Sequence, residues 1–153
     1  MKSVIMTAMG LVFISACQGA QELDTPTGIE IVTIAEIPTL GPYSTAIKAG
    51  GILYMSGIIA FDPKTKAYAP ANIEAQTKQV FANIEKVLLK VDCTLDDILK
   101  MTVFLKNPDD FAPMNKVYAS YFPNYKPART TVPGVDWGRD DILIEIDVIA
   151  KLP

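Results

Sequence analysis

The most constraining feature of this chain is its final apolar segment, residues 142–150, which reads ILIEIDVIA. Side chains along a strand alternate between the two faces of a sheet. One alternating set is entirely apolar and consists of Ile142, Ile144, Ile146 and Val148. The other set includes Glu145 and Asp147, so two carboxylates would share one face. A doubly buried strand carries no acids, and a solvent-facing strand alternates with polar residues throughout. The segment therefore predicts a face that meets neither bulk solvent nor a second core layer.

An arginine precedes this strand at the start of a second strand-like segment. Arg129 follows a proline turn and leads into the β-branched run at 130–132. If the two segments form neighbouring strands, Arg129 and Glu145 could line one pocket.

The rest of the pattern predicts an α+β domain in which both helices pack on one face of a mixed sheet. Strands are predicted at 29–33, 52–61, 98–106, 129–134 and 142–150, with a tight hairpin at Gly50-Gly51. A helix capped by Asn72 should run to about Val91 and end at Asp92, which tolerates the left-handed conformation. A second helix should begin at Asn107-Pro108. Its buried side chains are expected to be Phe111, Met114, Val117, Tyr118 and Tyr121.

The face of the sheet opposite the helices is left uncovered in this arrangement. It is expected to carry Leu53, Met55 and Ile59, or their neighbours. An apolar face of that kind favours an oligomer, and a pocket between subunits would be a natural place for the acids of the last strand.

Composition excludes several functional classes. The chain has no histidine, which rules out Ser-His-Asp and Cys-His catalysis, HExxH zinc sites and histidine general bases. The formal net charge is −3, so no basic surface for nucleic acid is expected. At 153 residues the chain is long enough for one domain with a sizeable core.

The first residues are typical of an export signal. Lys2 precedes an apolar run at 3–16, which is too short for a comfortable membrane span. The run ends in Ile14-Ser15-Ala16-Cys17, which resembles the lipobox of bacterial lipoproteins, whose cysteine is acylated. Residues 1–16 are thus predicted to be a signal peptide, and 17–28 to be the acylated Cys17 and a flexible tether. The alternative is an ordinary secretory signal cleaved near Ala16 or Ala20. The predicted location is the periplasm, with a lipid anchor in the outer membrane.

Several phrases of the chain together resemble the RidA (YjgF) family of reactive-intermediate deaminases. They run in the family's order over about 36–151, and the predicted RidA-like domain spans 29–153. The phrases are GPYS (41–44), MSGIIAFDPKT (55–65), KMTVFLKN (100–107), PAR (127–129), IEIDVIA (144–150) and the pair Gln76 and Asn83. Position 58 is Ile where the family phrase is usually SGQ, and Thr131 stands where many members have cysteine.

This resemblance implies a chorismate-mutase-like fold that assembles as a homotrimer with an active site in each cleft between subunits. It implies hydrolysis of enamines and imines, such as 2-aminoacrylate and 2-iminopropanoate, to 2-oxo acids and ammonia. The activity would be that of a 2-iminobutanoate/2-iminopropanoate deaminase, without metal or cofactor, acting on a small imino acid. The alternatives are a non-catalytic extracytoplasmic binding protein for small carboxylates that uses the same cleft, and a chaperone or RNA-acting role, which the acidic charge disfavours.

The resemblance also implies roles for individual residues. Arg129 would bind the substrate carboxylate through its planar guanidinium, and Glu145 would position and activate water. Asp147, two residues further on, is predicted to be structural or a subunit contact. The remaining positions that would line or support the site are Tyr43, Ser56, Asn115, Ala128 and Thr131.

Overall fold

The computed structural model describes residues 26–153. The predicted signal peptide 1–16, Cys17 and most of the tether 17–28 lie outside these residues. No helix within 26–153 is both long and apolar enough to cross a membrane.

The domain contains eight strands and two α-helices. The strands are β1 (Ile29–Val32), β2 (Ala46–Ala49), β3 (Ile52–Ile59), β4 (Phe61–Asp62), β5 (Ala67–Tyr68), β6 (Ile98–Leu105), β7 (Ala128–Pro133) and β8 (Ile144–Lys151). The helices are α1 (Ile73–Leu89) and α2 (Phe111–Tyr121). Six strands form one sheet in the order β1-β2-β3-β8-β6-β7, while β4 and β5 form a separate hairpin. Within the large sheet only β6 and β7 pair in parallel, so the sheet is mixed.

Both helices pack on the same face of the sheet, which confirms the predicted α+β architecture. The core joins side chains of α1 and α2 to one alternating set from the central strands. In β8 this set is Ile144, Ile146 and Val148, all fully buried. The apolar set of the last strand therefore faces the helices, and Glu145 and Asp147 share the open face as predicted.

The features predicted at the two ends of α1 are confirmed. Asn72 Oδ1 accepts a hydrogen bond from the backbone N–H of Ala75 at 3.0 Å, and Asp92 adopts the left-handed conformation with φ 58°. The start of α2 differs from the prediction. A 3-10 turn at Pro108–Asp110 comes first, and Phe111 is 44% exposed instead of buried. The rings of Tyr121 and Phe81 stack at 4.0 Å and join α2 to α1.

The open face of the sheet is composed differently from the prediction. Leu53 and Met55 face the helices, and only Ile59 of the three expected residues lies on the open side. A β-bulge between Met55 and Ile58 is the cause, because it inserts an extra residue and reverses the alternation of side chains. The neighbouring Tyr54 lies on the open face opposite Ile149 and is 43% exposed. The face is thus apolar as expected, but through a different set of side chains.

Candidate active site

Glu145 lies in a cavity of about 410 Å³ at the bulged end of β3. The cavity is bounded by the loop before β2, by the bulge itself and by the segment that leads into β8. Tyr43, Ser56 and Trp137 contribute to its walls. Glu145 is opposite Ile59 on one neighbouring strand and Phe104 on the other, so its carboxyl emerges from an apolar stretch of sheet.

The surroundings of Glu145 favour its neutral form. Burial raises the pKa of this carboxyl above its ordinary value, and the Asp147 charge raises the pKa further. A hydrogen bond from the Trp137 side chain opposes both effects, because it stabilises the carboxylate. A carboxyl with a raised pKa is suited to taking and returning a proton near neutral pH. Trp137 was not identified from the sequence, since nothing in a loop pattern shows where an indole points.

Gly57 makes room for this carboxyl. A Cβ atom at position 57 would overlap with the Glu145 side chain, whose Oε1, Cδ and Cγ are the three atoms nearest to it. The extra residue of the bulge therefore has to be glycine if Glu145 is to keep its present position. The glycine was visible in the phrase MSGI, but its role depends on the bulge and on the pairing of β3 with β8.

Replacing Gly57 with Ala should displace Glu145 and leave the fold intact. The backbone at Gly57 does not have a positive φ, so alanine introduces no conformational strain there. The atoms in the way belong to the end of a flexible side chain. We expect kcat/KM to fall by about 10-fold or more, the cost typical of a misplaced catalytic group, while the melting temperature changes little. A large loss of stability with unchanged activity of the folded fraction would contradict this role of Gly57.

Replacing Trp137 with Phe should move the pH profile. The hydrogen bond that lowers the pKa of Glu145 is lost, so this pKa should rise further. If the carboxylate is the reactive form, the acid limb of the kcat/KM profile shifts to higher pH. The measurement is kcat/KM against pH, corrected for the uncatalysed reaction of the substrate. An unchanged acid limb, or a shift to lower pH, would show that Trp137 does not stabilise the ionised form.

Arg129 lies in a different cavity, of about 510 Å³, beside the end of α2. Its guanidinium carbon is 4.5 Å from the centre of the Tyr118 ring and 5.8 Å from that of Phe111. Asn115 lines the same cavity. Arg129 takes part in none of the ion pairs found within 26–153. The aromatic rings therefore orient the guanidinium, and its fork of N–H donors is open to a carboxylate.

Arg129 and Glu145 do not meet within one chain. β6 lies between β7 and β8, so the two strands are not neighbours as the sequence suggested. Arg129 is in parallel register with Met101 and shares its helix-side face, whereas Glu145 is paired with Phe104 on the open face. Arg129 is not among the groups that shift the pKa of Glu145. One chain therefore carries two half-sites on opposite sides of its sheet.

The other predicted residues divide between these half-sites. Tyr43 Oη accepts a hydrogen bond from the Leu40 N–H at 3.1 Å, and Ser56 Oγ donates to the Ser44 carbonyl at 2.7 Å, both beside Glu145. On β7, Thr131 shares the face of Arg129, while Ala128 is exposed towards the open side. Asp147 Oδ1 accepts from the Thr102 N–H at 2.9 Å, which agrees with a structural role.

Two amides of α1 hold the backbone around Glu145. Gln76 is fully buried, donates to the Asp141 carbonyl at 2.8 Å and accepts from the Leu143 N–H at 2.9 Å. Asn83 donates to the carbonyls of Ile59 and Phe61 at 3.0 and 2.8 Å. Two buried amides in an apolar helix stripe are costly unless paired, and here they fix the entry to β8 and the exit from β3. Among residues 26–153, no cluster of acids and cysteine is arranged to hold a metal ion.

Comparison with known proteins places the chain in a family. A family model described as endoribonuclease L-PSP, which corresponds to the RidA (YjgF) family, matches residues 33–152. The chain belongs to the RidA family. A RutC family protein of Pyrococcus horikoshii is 49% identical over 111 residues, which are 72% of this chain and 87% of that protein.

Two further relatives carry more specific descriptions. Reactive Intermediate Deaminase A of Arabidopsis thaliana is 37% identical over 103 residues, 67% of this RidA chain and 55% of that protein. The crystal structure of E. coli TdcF with bound serine superimposes with a TM-score of 0.73 at 29% identity, covering 81% of this chain and 99% of TdcF. The family thus includes reactive-intermediate deaminases, and the mixed sheet with two helices is its fold.

Proposed function

We propose that this RidA family member hydrolyses reactive 2-imino acids and their enamine tautomers to 2-oxo acids and ammonia. The observation that carries the proposal is the pair of half-sites. One presents an oriented arginine with no ion-pair partner in the described chain, and the other presents a carboxyl with a raised pKa. Hydrolysis of a 2-imino acid needs both, because the carboxylate must be held and a water must be activated.

The chemistry assigns one role to each group. The Arg129 guanidinium binds the substrate carboxylate in two parallel hydrogen bonds and thereby orients the imine carbon. The Glu145 carboxylate takes a proton from water as the water oxygen bonds to that carbon. The protonated Glu145 then gives this proton to the nitrogen, which completes a carbinolamine. Glu145 next transfers the hydroxyl proton of the carbinolamine to the nitrogen, the C=O bond forms as the C–N bond breaks, and ammonia leaves with the 2-oxo acid. The raised pKa of Glu145 makes its carboxylate a stronger base, which favours the removal of the proton from water.

The site we propose is completed by a second copy of the chain, in a homotrimer. In one chain the two groups face opposite sides of the sheet, so they can act on one substrate only across a subunit interface. The apolar open face around Tyr54 and Ile149 is suited to burial against that copy. Light scattering of the purified domain should give the mass of three chains, and a monomer would contradict this site.

The relatives support a small ligand of this kind. The Arabidopsis relative is named as a reactive-intermediate deaminase. The bound serine in TdcF carries a carboxylate and a nitrogen on one carbon, as a 2-imino acid does. Binding alone is the competing function, so the assay has to separate ligand binding from turnover.

A coupled assay tests the proposal. An L-amino-acid oxidase generates 2-imino acids in solution, semicarbazide traps them, and an active deaminase lowers the rate of semicarbazone formation. Wild type should lower this rate and Arg129→Ala should not. No effect of wild type on imino acids from alanine, leucine or methionine would remove the enzymatic function. Calorimetric binding of 2-oxo acids without turnover would then establish a binding protein.

We further propose that the protein is exported and anchored through an acylated Cys17. The support is the apolar run at 3–16 followed by the lipobox-like Ile14-Ser15-Ala16-Cys17. Metabolic labelling with a fatty-acid probe should mark the wild type in the membrane fraction and leave Cys17→Ala unlabelled. Equal labelling of both proteins, or of neither, would exclude the anchor.

A further inference from the structure

A second, smaller cavity adjoins the one that holds Glu145. Its volume is about 70 Å³, and it lies between the loop before β2, the bulged end of β3 and the β4–β5 hairpin. Tyr43, Ser56 and Gly57 line both cavities. Since the Glu145 carboxyl lies directly against Gly57, the small cavity opens beside the group that would activate water.

The walls of the small cavity are mostly apolar. The larger side chains that form them are Ile37, Leu40, Ile58, Ile59, Phe61 and Tyr68, and Thr39 and Thr45 add two hydroxyl-bearing side chains. Two of the hydroxyls that line it are engaged with backbone, since Tyr43 Oη accepts from the Leu40 N–H and Ser56 Oγ donates to the Ser44 carbonyl. A polar group entering the cavity would lose its water without a matching partner, whereas an alkyl group would gain from burial.

The volume limits what can enter. A cavity of about 150 Å³ lined by aliphatic and aromatic side chains accepts a benzene ring. The cavity here, about 70 Å³, has less than half of that volume and is too small for an aromatic ring. It has room for a short aliphatic group of three or four carbons. The T-shaped contact between the Phe61 and Tyr68 rings, with centroids 6.0 Å apart, closes the far wall.

Ile58 gives this cavity its apolar character. The β-bulge turns Ile58 towards the core, where it is 4% exposed and forms part of the cavity wall. An amide here would bring a donor and an acceptor into the most buried part of a mostly apolar wall, so Ile58 favours an apolar group in the cavity.

We infer that the small cavity binds the substrate side chain and that the preferred substrates are 2-imino acids with short aliphatic side chains, such as the one formed from leucine. The inference rests on the proposed deaminase function. A substrate whose carboxylate is on Arg129 and whose imine carbon is beside Glu145 directs its side chain into this cavity. The imine formed from alanine carries only a methyl group and leaves most of the cavity empty, and aromatic ones exceed its volume.

The test is a comparison of kcat/KM for imino acids formed from alanine, leucine and phenylalanine by the full-length chain. The leucine-derived substrate should exceed the alanine-derived one by about 10-fold or more, the range found for added methylenes in an apolar pocket. The phenylalanine-derived substrate should be the poorest. A leucine-to-alanine ratio at or below about one would overturn the inference.

Two variants sharpen the comparison. Ile58→Gln should lower the leucine-to-alanine ratio, because the amide interrupts the apolar wall. Phe61→Leu enlarges the cavity and should raise turnover of the phenylalanine-derived substrate, a gain that partial unfolding cannot produce. If Ile58→Gln keeps the wild-type leucine-to-alanine ratio and Phe61→Leu does not raise turnover of the phenylalanine-derived substrate, the cavity is not the side-chain site.

Failure of the inference is distinguishable from failure of the deaminase proposal. If the alanine-derived imine is hydrolysed without preference for leucine, only the inference fails. If no imine is hydrolysed, calorimetry with 4-methyl-2-oxopentanoate and pyruvate still tests whether the cavity binds an alkyl side chain. Tighter binding of 4-methyl-2-oxopentanoate, lost in Ile58→Gln, supports the side-chain cavity, and equal or weaker binding overturns it.

Discussion

Glu145→Gln should reduce kcat by about 10²–10⁴-fold, the usual contribution of a general acid–base group. Glutamine keeps the size of the side chain and its place against Gly57, so substrate binding and subunit assembly should persist. The measurement is kcat and KM in the trapping assay, with the oligomeric mass as a check on assembly. Retention of wild-type kcat would exclude Glu145 as the group that activates water.

The same variant should be more stable than wild type at neutral pH. Burial raises the pKa of Glu145 in the folded state above its unfolded value, so the folded state holds the proton more tightly. The free energy of unfolding is therefore highest below the pKa that Glu145 has in the unfolded state. It decreases as the pH rises through the pKa that Glu145 has in the folded state. The melting temperatures of Glu145→Gln and wild type should differ above the pH range between these two pKa values and should agree below it. Convergence at neutral pH would contradict an ionised, partly buried carboxylate.

Asp147→Asn is the matched control for both measurements. Asp147 lies two residues along the same face of β8, but its carboxylate accepts a hydrogen bond from the Thr102 N–H. Its replacement should weaken this link to β6 or subunit assembly and leave kcat within a few-fold of wild type. A loss of kcat as large as that of Glu145→Gln, with assembly intact, would reassign the catalytic acid.

Arg129→Ala should lower kcat/KM by about 100-fold or more, because two charge-assisted hydrogen bonds to the substrate carboxylate are lost. The loss should be larger for 2-imino acids than for their amides, which lack the carboxylate. The variant should also unfold more easily by about 0.5–1 kcal/mol, since the guanidinium lies over the Tyr118 ring at 4.5 Å. Equal losses for acids and amides would indicate a structural role alone.

Two further variants separate charge from geometry at this position. Arg129→Lys keeps the positive charge but loses the planar fork, so it should recover only part of the lost kcat/KM. Lys116→Ala removes a positive charge from an exposed position on α2 and should leave the kinetics unchanged. If Lys116→Ala reproduces the defect of Arg129→Ala, net charge and not carboxylate binding explains the effect.

The sequence was sufficient for most of the fold, because the signals that decide it are local. The apolar stripe of α1, its Asn72 cap and the alternation in β8 each depend on a few consecutive residues. Glu145 and Asp147 were correctly assigned to one face for the same reason. Their different environments are not a local property, because the hydrogen bond from the Thr102 N–H to Asp147 joins strands that are distant in sequence.

The arrangement of the site could not be predicted, because it depends on pairing between distant strands. The bulge at Ser56 and Gly57 reverses the faces of β3, and no pattern within β3 shows it. The parallel pairing of β6 and β7 assigns Arg129 to the helix side, opposite to the face of Glu145. The hydrogen bond from Trp137 depends on a loop whose path only the folded chain defines.

The central claim is that Arg129 of one subunit and Glu145 of another form a single site. Mixing two inactive proteins tests it most directly. Arg129→Ala and Glu145→Gln subunits should be co-expressed in equal amounts and the mixed trimers purified through different affinity tags. In a cyclic trimer that contains both kinds of subunit, one of the three interfaces pairs an intact Arg129 with an intact Glu145, so about one third of wild-type activity should return. Mixed trimers with no more activity than either parent would show that the two residues do not share a site between subunits.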